Sequence, residues 1–306
     1  MGAKGIVHMG FNYTLAEQIS KIFANENPKN ELDNLGWVLE NNAEHIFNTI
    51  ISESPNAPLE PQKHTMLHYF IGCILWSYLD YQNYDYIDQC FPAENPDSYK
   101  EYLDGLAKIL LEYEQEVPEY EPILEKLILA DEQDENIYVV TDGGELIEEQ
   151  SVRDAFMALI DDFMERISRI QEEIVNATFF LLFKDKDFLF RFNLFLSDYI
   201  RTLDKTYFDN QGGIKRCAYL PQWLRTAIMY RDNGCCQLCG KNLTGVFDSL
   251  DPYDLQYDHI IPLCKCGTND PTNYQILCHT CNESKGSSIR RPQYRYMLPW
   301  AMDIKQ

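Results

Sequence analysis

The spacing of apolar residues predicts helices along the first two-thirds of the chain. Apolar side chains recur there at every third or fourth position, the period of an amphipathic helix, and Asn, Asp and Pro residues separate the runs. One segment differs: residues 136–141 (N-I-Y-V-V-T) precede D-G-G and predict a strand and turn. The predicted helices span residues 14–25, 32–53, 61–86, 97–116, 122–129, 151–179 and 187–203.

The pattern changes after the glycine-rich break D-N-Q-G-G at residues 209–213. A short helix is predicted over 221–231 and a strand entering a hairpin over 254–262. A helical turn from Pro271 and a terminal helix over 279–288 follow. We therefore predict two domains, a mainly α domain over 1–206 and a small α+β domain over 207–306, in which two strands and a helix surround one metal.

The charge is divided unequally between these two parts. The 306 residues carry a net charge of −22, which argues against a nucleic-acid partner. Residues 201–306, however, hold 13 Lys and Arg against 10 Asp and Glu, a net charge of +3, whereas residues 1–200 hold 13 against 38, a net charge of −25. Only the N-terminal part should repel nucleic acid. We expect that part to bind a protein partner, to self-associate or to regulate the rest.

The composition predicts a soluble cytoplasmic protein. The longest apolar run, residues 68–79, is shorter than the roughly 18 residues that a membrane span needs. The N-terminus lacks the apolar core of a signal peptide. Eight of the ten cysteines lie between Cys217 and Cys281, and such clustering without a secretion signal favours metal binding over disulfides.

Four of these cysteines form two C-x2-C pairs, Cys236/Cys239 and Cys278/Cys281. This spacing lets one short turn direct two thiolates at one zinc ion. All four ligands come from the protein, so we predict a structural zinc site. Cys235 is an alternative ligand, but the spacing to Cys239 favours Cys236.

Four sequence blocks around these pairs resemble the HNH endonuclease family, the ββα-metal nucleases. They are R-D-N-G-C-C-Q-L-C-G (231–240), D-H-I-I-P-L (258–263), G-T-N-D-P-T-N-Y-Q-I-L-C (267–278) and C-N-E-S-K-G (281–286). The third motif letter is Asn282, which makes this an H-N-N variant. Cys264 and Cys266 replace the family's usual Ser and Gly; two ordinary thiols, a redox role and a second metal site are the alternatives. Residues 1–200 resemble no family that we recognise.

The resemblance implies catalytic roles for Asp258, His259, Asn273 and Asn282. A phosphodiester repels hydroxide, so its hydrolysis needs an activated water and a cation beside the leaving oxygen. His259 titrates in a range suited to a general base, and Asp258 is a natural ligand for a hard ion such as Mg²⁺ or Mn²⁺. By resemblance, Asn282 shares that ion with Asp258, and Asn273 steadies the loop that carries the base.

Basic residues near these motifs are candidate nucleic-acid contacts. Phosphate binding needs Lys or Arg, and unpaired bases stack on Tyr, which fits R-R-P-Q-Y-R-Y over 290–296. A solvated tail is the alternative for that segment. The predicted contacts are Lys285, Arg225, Arg231, Arg290 and Arg291.

These residues together predict a metal-dependent endonuclease acting on DNA. By family analogy, it is an effector of a bacterial defence or restriction system. Two alternatives stay open: a non-cleaving, zinc-stabilised adaptor that binds nucleic acid, and an HNH nuclease that acts on RNA.

Overall fold

The chain is mainly helical, with a small strand–strand–helix module near the C-terminus. A computed structural model describes residues 10–24, 34–81, 97–132, 138–140, 146–244 and 254–292. The predicted fold class, a mainly α part plus a small α+β module, is confirmed. In chain order the elements are α1 (Gly10–Ala24), α2 (Asn34–Glu53), α3 (Met66–Tyr81), α4 (Asp97–Glu112), α5 (Glu121–Glu132), β1 (Tyr138–Val140), β2 (Leu146–Glu148), α6 (Glu149–Lys184), α7 (Lys186–Ile200), α8 (Gln222–Arg231), β3 (Leu255–His259), β4 (Tyr274–Cys278) and α9 (His279–Lys285).

Each predicted helix of the N-terminal part exists, with ends displaced by a few residues. The largest differences within the described residues are five residues each: α3 begins at Met66 and not at Pro61, and α6 ends at Lys184 and not at Phe179. Residues 55–65 form a turn followed by bends and irregular backbone, and Asp270 caps the helix at Met66 (Met66 N to Asp270 Oδ2, 2.8 Å). The predicted strand over 136–141 appears as β1, which pairs antiparallel with β2. The end of the predicted helix over 61–86 lies outside the described residues.

Two compact units divide the chain differently from the predicted boundary between 206 and 207. The first comprises residues 1–17 and 74–178, and the second comprises residues 18–73 and 179–306. The second unit thus contains the C-terminal module together with the helical segments over 18–73 and 179–206. A separate domain over 207–306 stays a prediction.

The first unit is built around the long helix α6, whose apolar residues recur at helical spacing and are buried. Burying one such side chain stabilises the fold by about 1.5–3 kcal/mol, so one face of α6 specifies this core. The buried residues on that face include Val152, Phe156, Ile160, Phe163, Ile167, Ile170 and Ile174.

The helical part of the second unit contains a cluster of phenylalanines. Phe23 makes edge contacts with Phe188, Phe192 and Phe195 at centroid distances of 5.6–5.8 Å. The spacing of Phe188, Phe192 and Leu196 places them on one face of α7. Asp185 begins that helix, since its Oδ1 accepts hydrogen bonds from Asp187 N and Phe188 N.

The C-terminal module consists of α8, the antiparallel pair β3–β4 and α9. The register pairs Asp258 with Gln275 and His259 with Tyr274. The sequence predicted a helical turn from Pro271; a 3-10 turn spans Pro271–Asn273, and β4 follows it directly. Leu224, Ile228 and Ile276 belong to the buried core of the module. Among the described residues, no helix is both long and apolar enough to cross a membrane.

Candidate functional site

The four predicted zinc ligands come together. The Sγ atoms of Cys236, Cys239, Cys278 and Cys281 all lie within 4.8 Å of one another. A tetrahedral zinc ion with Zn–S bonds of about 2.3 Å holds its sulfur atoms about 3.8 Å apart. The Sγ atoms of Cys239 and Cys278 are separated by 3.8 Å. The cluster therefore fits a structural zinc ion.

The backbone around the first cysteine pair forms a tight turn. Cys236 N donates to Lys241 O (2.8 Å), and Gly240 N donates to Cys236 O (2.8 Å). Gly240 has a φ of 78°, a left-handed conformation that glycine adopts without strain. Cys235 is directed elsewhere, since its thiol contacts Asn233 O at 3.3 Å. The turn thus presents Cys236 and Cys239, as the spacing predicted.

Arg231 lies in the interior, which does not fit its predicted role as a phosphate contact. Its side chain is 2% exposed and pairs with Asp232 at 2.8 Å, and it donates to Tyr274 O. Asp232 Oδ2 accepts from Ile276 N (2.9 Å), so the two side chains attach the end of α8 to β4. The R-D pair in the motif therefore has a structural role, because a fully buried guanidinium cannot meet a phosphate.

His259, the predicted base, is the last residue of β3 and is 7% exposed. Its ring packs against Tyr274, with centroids 4.4 Å apart, and its Nε2 lies 3.2 Å from Asn269 Oδ1. Burial lowers the pKa of His259 to about 3, and the positive charges of Arg216 and Lys285 add to this effect. The imidazole is therefore neutral near pH 7, the state in which it can accept a proton, but its pKa lies below the range near neutrality that the sequence analysis expected for a general base.

Asp258 and Lys285 form a largely buried ion pair beside His259. Lys285 Nζ lies 3.0 Å from Asp258 Oδ2 and donates to His259 O at 2.9 Å. Gln275 Nε2 donates to the same Oδ2 at 2.9 Å. The side chain of Lys285 is 0% exposed. A role for Lys285 as a phosphate contact does not fit this burial; the ammonium instead holds two adjacent residues of the site.

Asn273 and Gly267 shape the loop after His259. Asn273 Oδ1 accepts from Ile261 N (2.8 Å), while its Nδ2 donates to Ile261 O (3.0 Å) and Thr268 O (2.8 Å). A Cβ on Gly267 would lie 1.8 Å from Ile261 O, so only glycine fits there. These bonds join Asn273 to both Ile261 and Thr268, and its role in steadying this loop stays a prediction.

The remaining predicted site residues lie on the surface or near it. Asn282 is half-buried on α9, the helix that packs against β3. Arg225 is exposed and donates to Leu220 O (3.0 Å). Arg290 is exposed and donates to Ser284 O (2.6 Å), and Arg291 pairs with Asp187. These three arginines are accessible to a polyanion, in contrast to Arg231 and Lys285.

The donor chemistry of Asp258 and Asn282 suits a hard divalent cation, since a carboxylate and an amide oxygen are ligands that Mg²⁺ prefers. Among the described residues, both hydrogen bonds of Asp258 end on Oδ2, which leaves Oδ1 for an ion. The residues thus fit the cation that the resemblance implies.

Sequence reasoning missed the connection between this site and the helical part. Asn269 N donates to Pro58 O (2.9 Å), and the fully buried Asp270 binds Met66 N (2.8 Å). Asn193 Nδ2 donates to Thr272 O (3.1 Å). No spacing rule joins residues more than 70 positions apart, so these contacts carry no sequence signal.

Comparison with known proteins identifies the family of this segment. One family model matches a segment that contains both C-x2-C pairs, the Asp258–His259 pair and Asn273. The comparisons with curated proteins and with solved structures gave no match. Residues 236–288 match the family model described as HNH endonuclease, which confirms for this segment the resemblance that the motif blocks carry.

Proposed function

We propose that this protein is a metal-dependent endonuclease that hydrolyses phosphodiester bonds in DNA, with its active site in the HNH module. One observation carries the proposal: a neutral, buried histidine at the end of β3 adjoins a carboxylate, in a module that also contains a four-cysteine cluster. A decayed zinc module has no need to keep His259 and Asp258 in this arrangement. The non-cleaving adaptor is therefore the weaker alternative.

In this proposal each residue of the site has one task. His259 accepts a proton from the attacking water, because its imidazole is neutral at physiological pH. Asp258 and Asn282 would hold the cation through oxygen atoms. When bound, Mg²⁺ or Mn²⁺ stabilises negative charge on the scissile phosphate. Asn273 keeps the loop after the base in place through its bonds to Ile261 and Thr268.

The choice of a polyanionic substrate rests on charge. Residues 201–306 carry a net charge of +3, while residues 1–200 carry −25. Arg225, Arg290 and Arg291 are exposed around the module and supply the phosphate contacts. The acidic part is the proposed site for a protein partner, self-association or regulation. A setting in cytoplasmic bacterial defence rests on family analogy alone.

The test is cleavage by the purified full-length protein with Mg²⁺ or Mn²⁺, against EDTA. His259→Ala should reduce the rate at least about 100-fold, because general-base catalysis contributes that much, while the zinc content stays unchanged. His279→Ala is the matched control, since His279 is exposed on α9 and should leave cleavage at the wild-type rate.

The outcomes separate the rival functions. Cleavage by His259→Ala at the wild-type rate would refute the assignment of the base. Cleavage of RNA and not of DNA in parallel assays would change the substrate. Absence of cleavage with every metal and both nucleic acids, together with binding, would favour the adaptor.

A further inference from the structure

Asn269, to which the family resemblance assigns no role, lies at the centre of a buried hydrogen-bond network beside His259. Its side chain is 0% exposed. The Oδ1 atom lies 3.2 Å from His259 Nε2 and 3.3 Å from Tyr274 Oη, and it accepts from Cys217 N at 3.4 Å. The Nδ2 atom donates to Lys215 O at 2.8 Å and to Pro58 O at 3.5 Å. Every polar atom of the amide thus has a partner.

Backbone groups fix which way this amide points. A backbone N–H can only donate, and a backbone carbonyl can only accept. Cys217 N must therefore face Oδ1, and Lys215 O must face Nδ2, so the reversed amide is excluded. This removes the usual ambiguity between the two ends of an asparagine side chain.

The orientation of the amide determines the tautomer of His259. Because Oδ1 only accepts hydrogen bonds, the Nε2 atom that contacts it must carry the proton. A neutral imidazole carries one proton on its ring nitrogens, so the lone pair lies on Nδ1. The basic atom of His259 is then Nδ1.

We propose that Asn269 is a positioning residue, which fixes His259 as the Nε2–H tautomer and ties it to the turn at Pro58. The turn lies between α2 and α3 in the helical part of the second unit. Asn269 is bound there through its own main chain, since Asn269 N donates to Pro58 O at 2.9 Å. Its role in cleavage rests on the proposed function, but the tautomer does not.

The next residue strengthens the same connection. Asp270 is 1% exposed, and its carboxylate accepts from Met66 N (2.8 Å) and Thr272 N (2.9 Å). Two consecutive residues of the loop are therefore held by residues 58–66. The orientation of His259 therefore depends on the segment over 58–66, which lies outside the HNH motif.

The first measurement is the ring ¹⁵N spectrum of the zinc-loaded, full-length protein. The chain has six histidines, and the His259→Gln variant identifies the signals of His259. The expected spectrum shows one tautomer, with the proton on Nε2. A spectrum with the proton on Nδ1 would overturn the proposal.

Two variants of Asn269 then separate positioning from packing. Asn269→Ala removes the acceptor, so His259 should populate both tautomers and kcat should fall about 10–100-fold, as for other groups that orient a functional histidine. Asn269→Asp keeps the oxygen that faces His259 and should keep the Nε2–H tautomer. Its second oxygen, in place of Nδ2, would face the carbonyls of Lys215 and Pro58. Asn210→Ala, at an exposed turn, should leave both readouts unchanged.

A purely structural role would lower the stability of both Asn269 variants without moving the tautomer, and that result contradicts the proposal. Wild-type cleavage by Asn269→Ala despite mixed tautomers also contradicts it. If the wild-type protein cuts no substrate, the proposed function fails, and the ¹⁵N spectrum still decides the tautomer.

Discussion

A basic side chain contacts a phosphate only if its charged end reaches solvent, and two of the five predicted basic contacts do not meet this condition. Lys285 is fully buried against Asp258, and Arg231 is buried against Asp232. Moving an ion out of water costs several kcal/mol, so each charge is retained only with its partner. At the scale of the residue, burial therefore separates structural cations from exposed ones such as Arg225.

Replacing Lys285 tests this distinction. Lys285→Met leaves the Asp258 carboxylate without its ammonium, so the free energy of unfolding should fall by about 3–5 kcal/mol. The salt dependence of DNA binding should stay unchanged, since no phosphate contact is lost. Urea denaturation and binding at several salt concentrations measure the two effects, with exposed Lys265→Met as the control. A variant of wild-type stability whose salt slope falls by about one unit would contradict this interpretation.

The buried His259 predicts a specific dependence of stability on pH. Its pKa is about 3 in the folded protein, mainly because of burial, and about 6.5 in an unfolded chain. The unfolded state therefore binds more protons between these values, so stability falls as the pH falls through this window. Between pH 7 and pH 5 the wild type should lose about 2 kcal/mol more than His259→Gln. Urea unfolding at both pH values measures this, and an equal loss in both proteins would refute it; exposed His279→Gln should follow the wild type.

At the scale of the element, the module is too small to be stable through its own secondary structure. Helix α9 has seven residues, and β3 and β4 have five each. Isolated two-stranded hairpins and helices this short are marginal in water. The cysteine cluster joins the turn at Cys236 to the start of α9, where Cys278 Sγ accepts from Cys281 N (3.4 Å). We therefore expect a zinc ion there to supplement the small hydrophobic core of the module.

Removing one ligand should therefore unfold the module. Cys239→Ser is expected to lose most of the bound zinc, because a structural zinc site contributes folding free energy directly. Amide hydrogen exchange across β3, β4 and α9 should then approach that of an unfolded chain. The exposed Cys264→Ser should keep the zinc and the protection of these elements. Full protection in Cys239→Ser would show that zinc is not needed for the fold.

At the scale of the whole molecule, the module is continuous with helical segments distant in sequence. The second compact unit contains residues 18–73 and 179–306, and Pro58, Met66 and Asn193 bind the loop over 268–273. A fragment over 207–306 lacks all three partners. The folding of this fragment should therefore be measured before its cleavage activity is compared with that of the full chain.

Asp270 gives a test of this continuity. Asp270→Ala leaves Met66 N and Thr272 N without their buried acceptor, which should cost about 2–3 kcal/mol of unfolding free energy. Amide exchange at Met66 should become faster. The exposed Asp204→Ala, which removes only a local cap at Thr206 N, should cost less than about 1 kcal/mol. Equal losses in the two variants would contradict a special role for the link.

The sequence predicted the features that depend on local spacing. The period of apolar residues indicated the helices from α1 to α8, because one face of each must be buried. The C-x2-C pairs predicted a metal cluster, and its four sulfur atoms do lie together. The motif blocks predicted the HNH family, which residues 236–288 match. In each case the signal lies within a few residues of what it specifies.

Only the tertiary structure decided how these parts depend on one another. Whether a lysine or arginine meets solvent depends on what packs over it, so Lys285 and Arg231 looked like phosphate contacts in the sequence. The bonds of Asn269 to His259 and Pro58 join residues 10 and more than 200 positions apart. Such contacts follow from the folding of the whole chain and not from local pattern. The sequence alone thus indicated which residues form the candidate site, and the fold determined which charges are buried and what contacts His259.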